Sequence, residues 1–307
     1  MESWSIINPP EESREVPLID VVTITRKYLD VPYAAQSPSQ KLDIYLPGEG
    51  DGPFPTLIFI HGGAFVFGSK RDLQFLHAIG GINRGWAVAS VEYRGAFEAQ
   101  YPSPLFDLKA AIRYLRANAA KFMLDGNRFA LSGDSAGGYY AVMAAATQDN
   151  PAFEDFTMGN AAYSSSVKAV VSWYGAFDNT ARGEQSLKDL QPPMNHDLPD
   201  IHKLWLGAQM SEISGLMHFT NPLNFITPNF PPVFVQHGSE DNTVPVIHAY
   251  QLEKKVREVC GSERAVVDIL EGYDHGTYGS RFQYMHPEWV NKEQQDKVFA
   301  FLNQHLK

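Results

Sequence analysis

The sequence predicts an α/β fold in which a mostly parallel sheet is covered by helices on both faces. From about residue 40 onward, short β-type runs alternate with helical segments, which is the order that builds such a sheet. Most of these runs are continuously apolar, as strands buried on both faces should be. The chain has 307 residues, and 44% of them are hydrophobic, which is enough to bury a large core. We therefore expect a single α/β domain over residues 1–307.

The first predicted strand covers residues 41–46, where Leu42, Ile44 and Leu46 recur at every second position and share one face. Six further runs are short and rich in β-branched or aromatic residues. They form the predicted central sheet and cover residues 56–60, 87–91, 129–131, 169–173, 233–235 and 266–270. Because these runs are apolar throughout, helices are expected to cover both faces of the sheet.

Amphipathic helices are predicted between and after the strands. Residues 104–120 carry apolar side chains at helical spacing, namely Leu105, Leu108, Ala111, Ile112 and Leu115. Residues 246–259 show the same pattern directly after Pro245, a residue suited to the opening turn of a helix. Residues 293–306 predict a final helix at the carboxyl end of the chain.

Residues 178–232 interrupt this alternation. The segment contains seven prolines and offers only brief helical stretches such as residues 201–209. Long loops inside a compact domain are usually functional, so we expect a small cap over the carboxyl ends of the strands. A surface insertion without function is the alternative, because long loops tolerate insertion at little cost in stability.

Charge and cysteine content exclude several classes of protein. The net charge of −10 argues against binding to nucleic acid or to anionic lipid, since both need clustered Lys and Arg. Cys260 is the only cysteine, which excludes an internal disulfide and a cysteine-rich zinc site. No apolar run approaches the ~20 residues that span a bilayer, and the first residues lack the pattern of a signal peptide. We expect a cytoplasmic protein that needs no membrane.

The segment from Gly133 to Gly137 reads Gly-Asp-Ser-Ala-Gly and lies between a predicted strand and an apolar, helix-forming run. This is the pattern and the context of a nucleophile elbow, a sharp turn that presents a serine at the edge of the sheet. The glycines leave room where backbone and helix approach each other closely. A glycine-rich turn or a phosphate-binding loop is the alternative, but the lysine of a P-loop is missing. We expect Ser135 to be the nucleophile.

A second motif supports catalysis at Ser135. The strand at residues 56–60 ends in His61-Gly62-Gly63. Attack of a serine on an ester carbonyl creates an oxyanion, which backbone N–H groups held in place stabilise better than mobile water does. We predict that Gly62, Gly63 and Ala136 supply these donors, whereas His61 is expected to hold the loop.

A serine hydroxyl needs a base to take its proton, and the base needs an orienting carboxylate. In folds that carry this elbow, the acid and then the histidine follow the serine, each in a loop after a strand. Asp241 follows the strand at residues 233–235, and His275 follows the strand at residues 266–270. We therefore predict Ser135, Asp241 and His275 as the catalytic residues.

Other residues could fill these two roles. Glu240 and Asp274 are neighbouring carboxylates, but Asp241 stands directly before Asn-Thr-Val-Pro and a helix start, where an acid would face inward. Five other histidines are less suited, because they lie on predicted helices, in a polar aromatic loop, or before the acid in the chain. They are His248, His305, His286, His237 and His61.

The chain resembles the α/β-hydrolase superfamily, and within it the esterases with an HGG oxyanion loop and a GDSAGG elbow. The HGGAF segment beginning at His61 and the GDSAGG segment beginning at Gly133 carry this resemblance. Three further segments, KLDIYLP, VEYRGA and WYGAFD, resemble the branch of acetyl xylan esterases, feruloyl esterases and kynurenine formamidase. Ala64 replaces the third glycine of the hormone-sensitive-lipase type, and the amino-terminal stretch is short, so the acetyl or feruloyl branch is favoured.

The resemblance implies a serine carboxylesterase that needs neither metal nor cofactor and acts on acetyl or feruloyl esters of plant polysaccharides. Its expected partner is a small-molecule ester or an acylated oligosaccharide. An arylformamidase is the enzymatic alternative, and a non-catalytic binding protein with this fold is a second one. Five aromatic residues are candidates for an acyl or aryl pocket, although they could equally pack in the core: Phe65, Tyr139, Tyr174, Phe177 and Trp205.

Overall fold

Eight strands within the described part of the chain form one central sheet. The structure is a computed structural model, and it describes residues 6–7, 17–148, 150–178, 201–209, 212–213, 215–276 and 287–306. Its strands are β1 (Ile6–Ile7), β2 (Leu18–Ile19), β3 (Lys27–Pro32), β4 (Lys41–Tyr45), β5 (Phe54–Ile60), β6 (Ala87–Val91), β7 (Leu124–Asp134), β8 (Ala169–Trp173), β9 (Val233–Gly238) and β10 (Ala265–Leu270). In spatial order the sheet runs β10, β9, β8, β7, β5, β6, β4, β3.

The part of the sheet from β6 to β10 is parallel. The neighbouring pairs β6–β5, β5–β7, β7–β8, β8–β9 and β9–β10 are all parallel, whereas β4 and β3 extend the sheet in antiparallel pairing. Parallel strands deliver the loops that follow them to one edge. The loops after β5, β7, β9 and β10 therefore meet at the same edge of the sheet.

Helices cover both faces, as the sequence predicts. They are α1 (Leu76–Ile79), α2 (Ser103–Ala117), α3 (Ala136–Ala146), α4 (Ile201–Leu206), α5 (Ile247–Cys260) and α6 (Lys292–Leu306). Buried residues of α2, α3 and α5 belong to one apolar cluster, and those of α1 and α6 belong to a second one. A helix with the length and apolarity needed to traverse a bilayer is not found among the described residues.

Strand β5 shows how the sheet separates the two clusters. Ile58 and Ile60 point into the first cluster, and Leu57 and Phe59 point into the second, with each side chain at most 1% exposed. Successive side chains of a strand point to opposite faces, so a continuously apolar run contributes to both cores at once. The prediction of strands buried on both faces is confirmed for β5, β6, β8, β9 and residues 129–131 of β7. It is wrong for β10, which lies at the edge of the sheet and is exposed at Val266 and half-buried at the next three residues.

The seven predicted strands are all present in the sheet, but β3 was missed. Its residues are exposed or half-buried, because it lies at the edge and has a register irregularity against β4. The ends of some strands and helices also differ from the predicted ones. Strand β7 continues through polar residues to Asp134, where it still pairs with Trp173 of β8. Helix α2 ends at Ala117, and a separate 3₁₀ turn follows at Ala120–Phe122.

The segment predicted to form a cap is described only in part, because residues 179–200, 210–211 and 214 lie outside the described residues. In the described part, α4 lies against the loop that follows β5, where Trp205 stacks on Phe65 with ring centroids 4.0 Å apart. The Tyr139 hydroxyl of α3 donates to the Thr220 carbonyl at 2.7 Å. This part of the segment thus packs beside the start of α3, and its role as a cap stays a prediction.

Candidate active site

Ser135 lies at a sharp turn between β7 and α3. Its φ of 51° and ψ of −118° are unusual for a residue other than glycine, and a backbone held in such a region costs on the order of 1–3 kcal/mol. The Ser135 N–H donates to the Trp173 carbonyl at 2.9 Å, which ties the turn to β8. The Ser135 side chain remains partly accessible, so the turn presents a hydroxyl at the carboxyl edge of the sheet.

Two glycines permit this turn for steric reasons. A Cβ atom on Gly133 would lie 2.3 Å from the Gly137 carbonyl oxygen, and a Cβ on Gly137 would lie 2.0 Å from the Ile60 carbonyl oxygen. Both distances are far below any van der Waals contact, and both involve backbone atoms. The close approach of α3 to the end of β5 therefore requires glycine at these positions.

The structure brings the three predicted catalytic residues into one chain of contacts. Ser135 Oγ lies 3.0 Å from His275 Nε2, and His275 Nδ1 lies 2.8 Å from Asp241 Oδ2. Because Nδ1 faces a carboxylate, it carries the proton, and the Nε2 lone pair faces the hydroxyl. This arrangement can accept the proton of Ser135 when the hydroxyl attacks an electrophile.

Neighbouring groups raise the pKa of His275. Burial alone would lower the pKa of this imidazole, but the charge and the hydrogen bond of Asp241 raise it above its ordinary value. For Asp241, burial alone would raise the pKa, but His275 and His237 hold it well below its usual range. Two loop N–H groups, those of Thr243 and Val244, also donate to Asp241 Oδ1 at 2.8 Å each. Asp241 is therefore ionised and rigidly held, and it stabilises an imidazolium at His275.

The predicted oxyanion donor Gly62 does not fit the geometry. Its N–H faces two acceptors of the protein itself, the side-chain oxygen of Gln74 and Asp134 Oδ1, the latter at 3.0 Å. By contrast, the N–H groups of Gly63 and Ala64 have no acceptor among the described residues. The site therefore offers Gly63 and Ala64, not Gly62, beside Ala136 at the first position of α3.

The loop that carries these donors has a strained backbone. Gly63, Ala64 and Phe65 have φ values of 111°, 53° and 68°, and a Cβ on Gly63 would lie 2.2 Å from the Phe67 carbonyl oxygen. Ala64 and Phe65 adopt the left-handed region without being glycine, which costs free energy that the surrounding contacts must offset. The direction in which the N–H of Ala64 points depends on this conformation, which motif spacing does not reveal.

His61 holds the loop as an imidazolium. Its Nε2 lies 3.0 Å from Glu92 Oε1, and its Nδ1 lies 2.8 Å from the Gly62 carbonyl oxygen, so both ring nitrogens face acceptors. Burial alone would lower the pKa of His61, but the Glu92 carboxylate raises it to about 9. The ring also stacks on Tyr93 with centroids 4.4 Å apart. His61 does not contact the Ser135–His275 pair, which agrees with the structural role predicted from sequence.

We expect this ion pair to make the fold less stable at alkaline pH. A histidine whose pKa rises from 6.5 to about 9 on folding contributes stability below pH 6.5 and loses it as pH rises through 9. The lost contribution is on the order of 3 kcal/mol. We expect wild-type unfolding midpoints in urea to fall between pH 7 and pH 10, and His61→Gln to remove most of this decline. Parallel pH dependence of the two proteins would contradict the assignment.

The five aromatic residues predicted to line a pocket lie in the core instead. Each is at most 5% exposed. Phe65, Tyr139 and Trp205 pack on one another, and Tyr174 places its ring 4.6 Å from His275, with its hydroxyl 2.9 Å from His77 Nε2. Phe177 is completely buried. None of them offers surface to a substrate in this structure, so they do not fit the role of pocket lining.

Two exposed aromatic residues close to the predicted donors are not among the residues predicted from sequence. Phe67 of the oxyanion loop and Phe97 of the loop after β6 are 47% and 65% exposed, and their ring centroids lie 6.3 Å apart. Phe67 N–H donates to the Gly63 carbonyl at 2.8 Å, so this residue is part of the donor loop itself. The second Phe of the HGGAFVF segment, Phe67, lies next to the predicted donors in sequence, but the sequence does not show that its side chain is exposed.

The alternative acids and bases occupy other positions. Asp274 Oδ1 accepts from the His275 N–H at 2.7 Å and from the Asn242 N–H at 3.0 Å, so it supports the loop and not the imidazole. His248 Nδ1 accepts from the N–H groups of Phe177 and Asp178. His305 packs against Phe301 on α6, and His286 lies outside the described residues. His237 is the exception, because it contacts Asp241.

In the described part of the chain, no group of three or more His, Cys, Asp or Glu side chains is arranged to hold a metal ion. The mostly parallel sheet with helices on both faces defines the α/β-hydrolase class of fold. A family model described as BD-FAE matches residues 42–256. The chain belongs to this family.

Several known proteins are similar to this chain in sequence. Esterase LipC of Mycobacterium tuberculosis is 31% identical over 245 residues, which cover 78% of this chain and 57% of LipC. The probable carboxylic ester hydrolase LipM of the same organism is 28% identical over 75% of this chain and 52% of its own length. The chain thus spans about half the length of the curated relatives it matches.

Solved structures share the fold. A truncated carbohydrate esterase from gut microbiota superimposes with a TM-score of 0.78 at 24% identity, covering 92% of this chain and 97% of that one. An esterase of Thermogutta terrifontis with bound propionate gives a TM-score of 0.69 at 21% identity, covering 92% of this chain and 95% of that one. These likenesses confirm the predicted α/β-hydrolase fold.

Proposed function

We propose that this chain hydrolyses carboxylic esters, with Ser135 as nucleophile, His275 as base and Asp241 as the orienting carboxylate. The observation that carries the proposal is the unbroken pair of contacts from Ser135 Oγ through His275 to Asp241. The relatives named as esterases support the same chemistry. The raised pKa of His275 is in agreement with a base that is charged in the transition state.

The reaction proceeds in two halves. Ser135 Oγ attacks the acyl carbon while His275 Nε2 takes the hydroxyl proton, and the resulting imidazolium is stabilised by Asp241. His275 then protonates the leaving alcohol, which departs and leaves an acyl-serine. A water molecule loses a proton to His275 and attacks the acyl carbon, and the proton returns to Ser135 as the acid is released.

The oxyanion that forms in each half needs donors on the side of the acyl carbon away from His275. We assign this role to the N–H groups of Gly63, Ala64 and Ala136, with Ala136 at the start of α3, where free N–H groups point out of the helix. Removing one such donor typically lowers kcat about 10²–10³-fold. The inward hydrogen bonds of Gly62 keep the loop at a fixed distance from the elbow.

For the substrate, we propose an acetyl or feruloyl ester of a plant polysaccharide. Sequence resemblance to that branch supports this choice. The exposed pair Phe67 and Phe97 adds a physical reason, because flat aromatic surfaces suit a feruloyl ring or the apolar face of a sugar. An arylformamidase would use the same three residues on an N-formyl amide.

A fluorophosphonate probe tests the proposed nucleophile. We expect the intact wild-type protein to gain one covalent adduct, located on the peptide that contains Ser135, and Ser135→Ala to gain none. The probe phosphonylates only an activated serine, so labelling reports the hydroxyl–imidazole pair independently of substrate choice. An adduct on a different residue, or equal labelling of Ser135→Ala, would refute the assignment.

A substrate panel then ranks the acyl groups. The wild type is assayed with methyl ferulate, an acetylated xylooligosaccharide and N-formylkynurenine, and p-nitrophenyl acetate serves as the general ester. We expect kcat/KM for methyl ferulate or the acetylated oligosaccharide to exceed that for N-formylkynurenine. The reverse order would replace the polysaccharide proposal with an arylformamidase, and the ester mechanism would stand.

A further inference from the structure

The triad carboxylate contacts a second imidazole. His237, at the end of β9, places Nε2 3.2 Å from Asp241 Oδ2, the oxygen that also receives His275 Nδ1. Both His237 and Asp241 have fully buried side chains. A buried polar group this close to a catalytic carboxylate affects how that carboxylate is held, even when it never meets the substrate.

The neighbours of His237 determine which ring nitrogen donates a hydrogen bond. Nε2 also lies 2.7 Å from the Val244 carbonyl oxygen, so it faces two acceptors and must carry a proton. Nδ1 is buried and has no hydrogen-bond partner among the described residues. A proton on Nδ1 would be left without an acceptor, which is costly in a buried site. His237 therefore carries a proton on Nε2 and donates from that atom.

The same N–H lies beside the Asp241 carboxylate. Oδ1 accepts the N–H groups of Thr243 and Val244, and Oδ2 faces His275 Nδ1 at 2.8 Å. His237 Nε2 donates to the Val244 carbonyl and lies 3.2 Å from Oδ2. Three hydrogen bonds and the adjacent His237 N–H surround the two carboxylate oxygens, so Asp241 has little freedom to rotate away from His275. Among the described residues, His237 and His275 are the two imidazoles that contact Oδ2, so His237 limits its movement independently of the imidazole that Asp241 orients.

We infer that His237 is a positioning residue of the proposed reaction, which fixes the Asp241 carboxylate so that His275 keeps its productive tautomer and orientation. The inference rests on the proposed ester hydrolysis. Other ionisable groups contribute to the electrostatics of these imidazoles and are kept unchanged in the test: Asp134 and Asp274 act on His275, and His248 interacts with His237.

The test compares wild type, His237→Leu and His237→Gln in the intact chain, using p-nitrophenyl acetate from pH 5 to pH 9. Leucine fills the volume without a donor, whereas the glutamine amide can donate from about the position of Nε2. We expect His237→Leu to lower kcat about tenfold with KM little changed, because it removes both the hydrogen bond to the Val244 carbonyl and the polar contact with Asp241. The acidic limb of its kcat/KM profile should move to lower pH, because a less firmly held Asp241 raises the pKa of His275 less.

We expect His237→Gln to restore both kcat and the position of the acidic limb. A purely structural role would lower thermal stability in both variants without moving the limb, and that result would overturn the inference. So would wild-type kcat and an unmoved limb in His237→Leu. Failure of the proposed function looks different, because the wild type itself would then hydrolyse no ester and bind no fluorophosphonate.

Discussion

Asp241→Asn is expected to lower kcat for p-nitrophenyl acetate about 10⁴-fold while leaving the protein folded. The size of this effect follows from the donors around the carboxylate. The N–H groups of Thr243 and Val244 both point at Oδ1, so an asparagine must place its carbonyl oxygen there. Its NH₂ group then occupies the position of Oδ2 and faces His275 Nδ1.

That exchange reverses the tautomer of the base. His275 must accept at Nδ1 from the new amide, so its own proton moves to Nε2, which faces Ser135 Oγ. An imidazole with a proton on Nε2 cannot take the proton of the serine, and nucleophilic attack loses its base. The loss should therefore appear in kcat at every pH where His275 is neutral, and KM should change little.

Asp274→Asn provides the matched control. Asp274 precedes His275 in the chain, and its Oδ1 accepts two backbone N–H groups. An amide oxygen can accept the same two bonds, so we expect kcat within about threefold of wild type. If Asp274→Asn were the inactive variant and Asp241→Asn the active one, the assignment of the acid would be wrong.

The fold was largely predictable because its strands are short, apolar and separated by helical segments. Burial on both faces leaves a simple signal, and the alternation of strands and helices requires a mostly parallel sheet. Strand β3 gives no such signal, since an edge strand with exposed side chains has neither a continuous apolar run nor a clear period of two. Its existence depends on pairing with β4, which local sequence does not encode.

Chain order and motif spacing predict only part of the candidate site. Ser135, Asp241 and His275 each follow a strand, so topology alone places them at one edge. Which N–H groups of the oxyanion loop are free to donate depends instead on backbone angles. The sequence does not reveal that the Gly62 N–H forms a hydrogen bond with Asp134 inside the protein. The aromatic residues failed as pocket candidates for a related reason, because residue type does not reveal whether a ring faces solvent or core.

Gly137→Ala is expected to destabilise the fold by about 3 kcal/mol or more and to abolish ester hydrolysis in whatever protein remains folded. The added Cβ would lie 2.0 Å from the Ile60 carbonyl oxygen and 2.6 Å from that of His61. Both atoms belong to the backbone that leads from β5 into the oxyanion loop, so neither can turn aside as a side chain would. Relief requires α3 to move away from β5, which displaces Ser135 and Ala136 from the loop donors.

Gly48→Ala separates this effect from the general cost of replacing a glycine. No atom lies within 4 Å of a Cβ built on Gly48, and surface changes of this kind usually alter stability by less than about 0.5 kcal/mol. Urea unfolding and kcat for p-nitrophenyl acetate, measured on both variants, distinguish the two sites. If Gly137→Ala had the wild-type urea midpoint and the wild-type kcat, α3 could move away from β5 without disturbing the turn at Ser135. The hydroxyl, the imidazole and the loop donors would then not depend on the close contact between α3 and β5.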